Sequence, residues 1–243
     1  MNYKKYHRDK VYLENESHFK NIFKKRFDII SCHFERPTRH PERSRRIPFR
    51  ILDIGASTGV LLDIFKENNW ETWGVEPSES SKIAVKKGHK IIKNYFEAAK
   101  LPDNYFDLVI MNHTLEHLDN PNLVLKKIHK IIKQDGILLV DVPNAGGIGS
   151  KILGDKWPYR LPEEHKHQFT YESLSKFFEN SGFKAIHFES RSGIFEFANP
   201  IKEIWESLIT RKKRFFTNLI NIPYDIFVTF FDAGDSMTIV GKK

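Results

Sequence analysis

Cysteine is almost missing from this sequence: Cys32 is its one thiol in 243 residues. That excludes an intramolecular disulfide and any zinc site made of several thiolates, and it points to a reducing, cytoplasmic setting. No stretch approaches the roughly 20 consecutive apolar residues of a membrane span. The opening segment, MNYKKYHRDKVYLENES, carries charge where a secretory signal would be apolar. Beyond residue 50 a charge excess is lacking as well. Residues 1–50 hold 14 Lys/Arg against six Asp/Glu, the remainder holds 25 of each, and the whole formal charge of +8 therefore sits in the N-terminal segment. A basic tail is more often a solvated stretch than a specific nucleic-acid site, so nucleic acid is not the expected partner.

The length and the 40% hydrophobic content suit one sizeable core. Phe19, Ile22, Phe23, Phe27 and Ile30 recur at helical spacing and predict an amphipathic N-terminal helix. It is expected to pack on the main domain but outside the functional crevice. Residues 36–50 combine three prolines with six arginines and read as an exposed linker. This places a boundary between an N-terminal helix and basic linker, 1–49, and a catalytic domain, 50–243.

From Ile51 strands alternate with helices, as in a parallel sheet covered on both faces. Strands are expected at Ile51–Ile54, Glu71–Val75, Lys90–Lys93, Phe106–Met111, Gly136–Val142, Phe183–Glu189 and Ser236–Val240, and helices at Val60–Asn69, Ser78–Lys87 (capped by Ser78), Pro121–Ile132 and Tyr171–Asn180. The most informative segment is Ile51-Leu-Asp-Ile-Gly-Ala-Ser-Thr-Gly59. There an apolar strand runs into a turn of small residues that opens a helix, so backbone can approach a ligand beyond the strand end. Glu76, closing the second strand, can accept hydrogen bonds from two ribose hydroxyls. A dinucleotide fingerprint fails, because Ser57 and Val60 stand where it needs glycine, and a P-loop fails for want of G-K-[ST].

Taken in order, this turn, the acidic end of the second strand, Glu97-Ala-Ala-Lys-Leu-Pro102, FDLVIMNHTLEHLDNP and GILLVDVPN resemble the class I S-adenosylmethionine-dependent methyltransferases. More narrowly, they resemble the small-molecule subgroup that includes ubiquinone-type and surface-polysaccharide enzymes. The resemblance implies an α/β, Rossmann-like, doubly wound and mostly parallel seven-stranded sheet. To that it adds the N-terminal helical extension and a substrate-covering insertion. It implies S-adenosyl-L-methionine as cofactor, with Asp53, Gly55, Ser57 and Gly59 around the methionine portion, Glu76 at the ribose, Phe96 and Glu97 at the adenine, and Asn112 facing the methionine end. Ser57 departs from the family's middle glycine.

His113-Thr-Leu-Glu116-His117 spells H-x-x-E-H, a zinc-peptidase pattern that needs its histidines on one continuous helix. Here the first histidine falls in the turn after a buried strand, so the segment is expected to line the cofactor mouth without a metal. Residues 144–170, with Trp157, Tyr159, His165 and His167, should cover a small-molecule acceptor. Transfer to oxygen needs alignment and removal of a hydroxyl proton, for which His165 is the candidate base and His167 the reserve. The competing reading has these histidines brace the helix that starts at Tyr171. In the helical insertion 200–232, Ile201, Ile204, Trp205 and Leu208 share one face, followed by Arg211-Lys-Lys-Arg214. That stripe is expected to be core or a homodimer face, with peripheral membrane contact as the alternative. The expected activity is methylation of a hydroxyl on a sugar, lipid-linked saccharide or quinone-like metabolite. RNA methylation and a non-catalytic cofactor-binding scaffold are the other readings.

Overall fold

In the computed structural model residues 14–34, 48–210 and 212–243 are described. Seven strands form one sheet: β1 (Arg50–Ile54), β2 (Glu71–Val75), β3 (Lys90–Ile92), β4 (Phe106–Asn112), β5 (Ile132–Pro143), β6 (Lys184–Arg191) and β7 (Ser236–Lys242). Their order is β3-β2-β1-β4-β5-β7-β6. The first five pair in parallel, while β7 lies antiparallel between β5 and β6. The order reverses between β1 and β4, which opens a crevice past their carboxyl ends where α/β sheets take their ligands.

Side chains alternate along each strand into two cores. Leu52, Val109, Met111, Leu138 and Val140 face one of them, and Ile51, Leu108, Ile110 and Leu139 face the other. The first core is covered by α4 (Pro121–Ile131) and α6 (Tyr171–Asn180). Asn120 caps α4 by accepting the Leu123 N–H, and Thr170 with Ser173 closes a capping box on α6. The second core is covered by α1 (Glu16–Ser31) and α2 (Val60–Glu67). Between β2 and β3 runs the short α3, Ser81–Lys86. It starts three residues later than Ser78 suggested, because the Ser78 N–H is engaged by Glu76 at 2.8 Å and its hydroxyl meets that of Ser80.

The 49/50 boundary does not separate two units. Phe23 and Ile30 of α1 are buried in the second core, and Arg26 runs through it to the middle of the sheet. Its guanidinium, 1% exposed, pairs with Asp141 of β5 at 2.8 Å and Glu196 at 2.8 Å. Arg191 of β6 pairs with the same two carboxylates, at 2.6 and 3.1 Å. Burial alone would push the Asp141 carboxyl up, but Arg26 and Arg191 hold it down at about 2. Most of the Arg-rich linker, residues 35–47, lies outside the described residues.

The insertion after β5 contains α5 (Ile148–Leu153) and a 3-10 turn at Gly154–Lys156. Its Trp157 indole donates to Asp235 at 2.8 Å, which pins it to the start of β7. Between β6 and β7 stand α7 (Pro200–Thr210) and α8 (Lys212–Phe230). Their apolar stripe is not core: Ile201, Trp205 and Leu208 are exposed, with Ile204 half-buried.

Candidate active site

Two crevices meet at the switch point. The first, about 900 Å³ of space open to solvent, runs from the β1 turn past the end of β2 to residues 95–97 and 112–118. Gly55, Ser57, Glu76, Phe96, Glu97 and Asn112 all line it. Gly55 has φ +86°, and a Cβ there would lie 2.6 Å from the Thr114 hydroxyl, so the turn is closed by Thr114 packed against it. Thr114 in turn donates to the Ile54 carbonyl at 2.9 Å.

Ser57 replaces the family's middle glycine yet keeps a glycine's backbone, at φ +46°. Its N–H donates to Glu76 Oε2 at 2.9 Å, while Ser78 N–H donates to Oε1 at 2.8 Å. The loop is thus held to the end of β2 by one buried carboxylate, whose remaining lone pairs are available to two hydroxyls. A left-handed conformation costs a non-glycine residue about 1–2 kcal/mol, partly offset by glycine's greater chain entropy. Ser57→Gly should therefore raise the melting temperature by about 2–4 °C, measured by thermal denaturation without cofactor. A lower melting temperature would mean that the hydroxyl is doing structural work the strain argument misses.

Asp53 and Gly59 stand elsewhere. Asp53 is buried behind the turn, in a small hollow with Phe23, Thr58 and Asn112. Burial, with the Glu76 charge adding to it, raises its carboxyl to about 7. Gly59 is also buried and lines neither crevice: at φ +79° it starts α2, and a Cβ would strike the His89 ring at 2.8 Å. Sequence reasoning missed Lys127 of α4. Its ammonium donates to the carbonyls of Phe96, Glu97 and Ala99 at 2.6, 3.0 and 2.7 Å and lies 4.8 Å from the Phe96 ring, fixing the turn that walls the far end of the crevice.

The second crevice offers about 1000 Å³ between α1, the 113–117 turn and the cover. Phe19, Ile22, Phe23 and Arg26 form one wall, so α1 is part of the site rather than outside it. The signal for this was present: Arg26 interrupts the apolar stripe Phe19-Ile22-Phe23-Ile30, and a charge on a buried face needs a buried partner. The opposite wall holds Glu116, His117, Tyr159 and His165. The H-x-x-E-H residues do not form a helix. His113 takes φ +49°, and only Leu115–His117 make a 3-10 turn, which removes the zinc-peptidase geometry.

His165 is 8% exposed, and its Nδ1 donates to the Tyr159 carbonyl at 2.7 Å. His117 Nδ1 donates to the Glu164 carbonyl at 2.9 Å. Glu116 is 1% exposed; its Oε1 lies 3.3 Å from His113 Nδ1, and its Oε2 has no hydrogen-bond donor among the described residues. Burial lowers the His165 pKa, against a raising influence of Glu116. For His113, burial is outweighed by Glu116 at 3.3 Å and by Asp141, so its pKa is raised. His167 is not in the crevice: its N–H donates to the Glu116 carbonyl at 3.1 Å, and its ring stacks near Phe169. It braces the wall. Asn112 lines both crevices and the hollow behind the turn, and its buried Oδ1 lacks a donor among the described residues. That orphaned acceptor, beside the glycine turn and the Glu76 carboxylate, fits a ligand bearing an ammonium group and a ribose.

Residues 20–188 match the model of a family described as a methyltransferase domain. Among curated proteins, a ubiquinone biosynthesis O-methyltransferase from Rhodopseudomonas palustris is 24% identical over 168 residues, covering 64% of each chain. The chain spans less than two thirds of the length of the first curated relatives it matches. A methyltransferase structure from Archaeoglobus fulgidus superposes with a TM-score of 0.60 at 22% identity, over 96% of this chain and 99% of that one. The phosphoethanolamine N-methyltransferase 2 of Haemonchus contortus, solved with S-adenosyl-L-methionine, gives 0.54 at 15% identity, over 81% and 49%. Since the family match begins within α1 and runs into β6, taking in the glycine turn, Glu76 and the cover, the chain belongs to the methyltransferase-domain family, whose cofactor is S-adenosylmethionine.

Proposed function

We propose that the chain transfers a methyl group from S-adenosylmethionine to a hydroxyl of a small molecule held in the second crevice, a sugar, lipid-linked saccharide or quinone-like metabolite. The observation that carries this is the meeting of the two crevices at Asn112 and His113, with the ribose-type acceptor Glu76 on one side and the buried imidazole of His165 on the other. Bound S-adenosylmethionine supplies an already electrophilic methyl group. What the residues supply is position and proton handling. Glu76, fixed by the N–H groups of Ser57 and Ser78, would accept from the ribose hydroxyls, and Asn112 Oδ1 would accept from the ammonium of the amino-acid end. Phe19, Ile22 and Tyr159 wall the acceptor and keep water from it. His165, with Nδ1–H fixed by a carbonyl, offers its other nitrogen to the acceptor hydroxyl. RNA as acceptor is not favoured: Arg26, the arginine among the described lining residues, is engaged by Asp141 and Glu196 and is not free for phosphate.

The test is calorimetric titration with S-adenosylhomocysteine, followed by methylation assays on candidate acceptors. Glu76→Ala removes the ribose acceptor and the anchor of the Ser57 N–H together, so binding should weaken by about 2–3 kcal/mol, roughly 30- to 150-fold in Kd. Unchanged affinity in this variant would remove the cofactor assignment.

A further inference from the structure

The helices α7 and α8 are amphipathic the wrong way round. The face turned to the protein carries, beside the apolar Val228, three polar residues: Glu203, Ser207 and Asp225 are each 2% exposed. Glu203 pairs with His18 at 3.0 Å, Ser207 donates to the Ile204 carbonyl at 2.8 Å, and Asp225 accepts the Ile194 N–H at 3.3 Å. The apolar face is in solvent. Trp205 is 62% exposed, Ile209 77%, Ile220 76% and Phe230 81%. Ile201, Trp205 and Leu208 continue one stripe, and Phe216, Ile220, Phe227 and Phe230 a second at steps of four, seven and three residues. Scattered exposed apolar residues need no explanation, but a continuous patch of this size marks a binding surface.

We infer that this helical pair docks on an anionic lipid surface. Three observations choose lipid over a second copy of the chain. The sequence joining the two stripes is Arg211-Lys212-Lys213-Arg214, whereas two of the pair's three acids, Glu203 and Asp225, are buried and the third, Glu206, lies 3.5 Å from Lys202. The described face is apolar, and the sequence that joins its two stripes is cationic, a combination complementary to anionic headgroups, while a two-fold contact would bring two like cationic segments together. The stripes mix Trp205, Phe216, Phe227 and Phe230 with isoleucine and leucine, as on helices that lie in a headgroup layer. No helix among the described residues is long and apolar enough to cross a membrane, so the pair would lie on the surface.

The surface also abuts the acceptor crevice. Both helices pack on the 3-10 turn Gly193–Glu196, whose Glu196 lines that crevice. Tyr224 of α8 donates to Asp235 at 3.3 Å, the residue that anchors Trp157 of the cover. Delivery of a lipid-linked acceptor across this edge rests on the methyl-transfer reading; the docking itself does not.

Flotation of the full chain with vesicles of phosphatidylcholine alone, and of phosphatidylcholine with phosphatidylglycerol, tests it. The chain should float with the anionic vesicles and stay behind with the neutral ones. Trp205 emission should shift to the blue on binding, a signal lost in Trp205→Phe while flotation persists. Serine at Trp205, Ile220 and Phe230 should weaken partitioning by roughly tenfold for each apolar side chain removed, with an unchanged circular dichroism spectrum. All three side chains are exposed, so the fold should tolerate the change. Flotation of the serine variant equal to that of the parent, or no flotation with either vesicle, would overturn the inference. A dimer in sedimentation that the serine variant abolishes would assign the face to a second copy instead. Calorimetry with S-adenosylhomocysteine on the same preparations keeps the two readings apart, since lost cofactor binding with retained flotation would overturn only the methyl transfer.

Discussion

Replacing Arg26 by alanine is expected to destabilise the protein by about 3–5 kcal/mol, because it leaves the buried carboxylate of Asp141 and the half-buried one of Glu196 with one guanidinium in place of two. Asp141 is fully buried, and its carboxyl is held at about 2 against an ordinary 3.8. A depressed carboxylate stabilises the fold above its ordinary range and loses that contribution as pH falls toward the depressed value. Arg26→Ala should therefore already be weakened at neutral pH and should unfold in acid at a higher pH than the parent. Equilibrium denaturation in urea at several pH values measures both effects. A loss under about 1 kcal/mol would show that Arg191 alone satisfies the pair. Removing residues 1–48 should be more severe, since it deletes Arg26 and uncovers the second core; the truncated chain should fail to fold rather than keep its cofactor affinity.

His165→Ala should lower the methylation rate by roughly 10²–10⁴, the usual yield of general acid–base catalysis, with cofactor affinity nearly unchanged. His167→Ala should cost less, because that ring lies behind the wall rather than in the crevice. The parent's pH profile carries the distinguishing sign. Burial lowers the His165 pKa, so its neutral, proton-accepting form persists below pH 6.5, and turnover should fall only as pH drops through that lowered value. Its side chain, the Glu116 carboxylate and the His117 ring bring heteroatoms within 4.8 Å of one another. Turnover that chelators abolish and a divalent cation restores would make His165 a ligand rather than a base. Wild-type turnover in His165→Ala would leave alignment alone to carry the reaction.

The strands, their order of appearance and the cofactor crevice were legible because each rests on local pattern. Leu108–Met111, buried throughout, reads as an unbroken apolar run, and the turn between Asp53 and Gly59 announces itself by its small residues. The site's other half depends on contacts far apart in sequence. Periodicity showed that α1 is amphipathic, but not that Arg26 would reach a strand 115 positions later in the chain. Gly59 looked like a cofactor residue from its spacing, yet His89 occupies the space its missing side chain leaves. His165 and His167 are two positions apart, a separation that puts one ring in the crevice and the other against Phe169, and only the path of the cover decides which. The stripe on α7 was visible too, but which side of a helix meets the protein is set by partners such as His18 and Ile194, not by the helix itself.

The place of β7 has a consequence for synthesis. It is made after all the other strands yet inserts between two of them, supplying hydrogen bonds to β5 on one side and β6 on the other. Until residues 236–242 leave the ribosome, β5 presents a long unpaired edge, and Asp141 lacks its Thr238 partner at 2.7 Å. During that interval the nascent chain also carries α7 and α8 with their apolar stripes already emerged. Both are features that chaperones bind and that drive aggregation. Closure of the sheet is therefore a late, long-range event, and the slow step in folding falls on the insertion of β7 between β5 and β6.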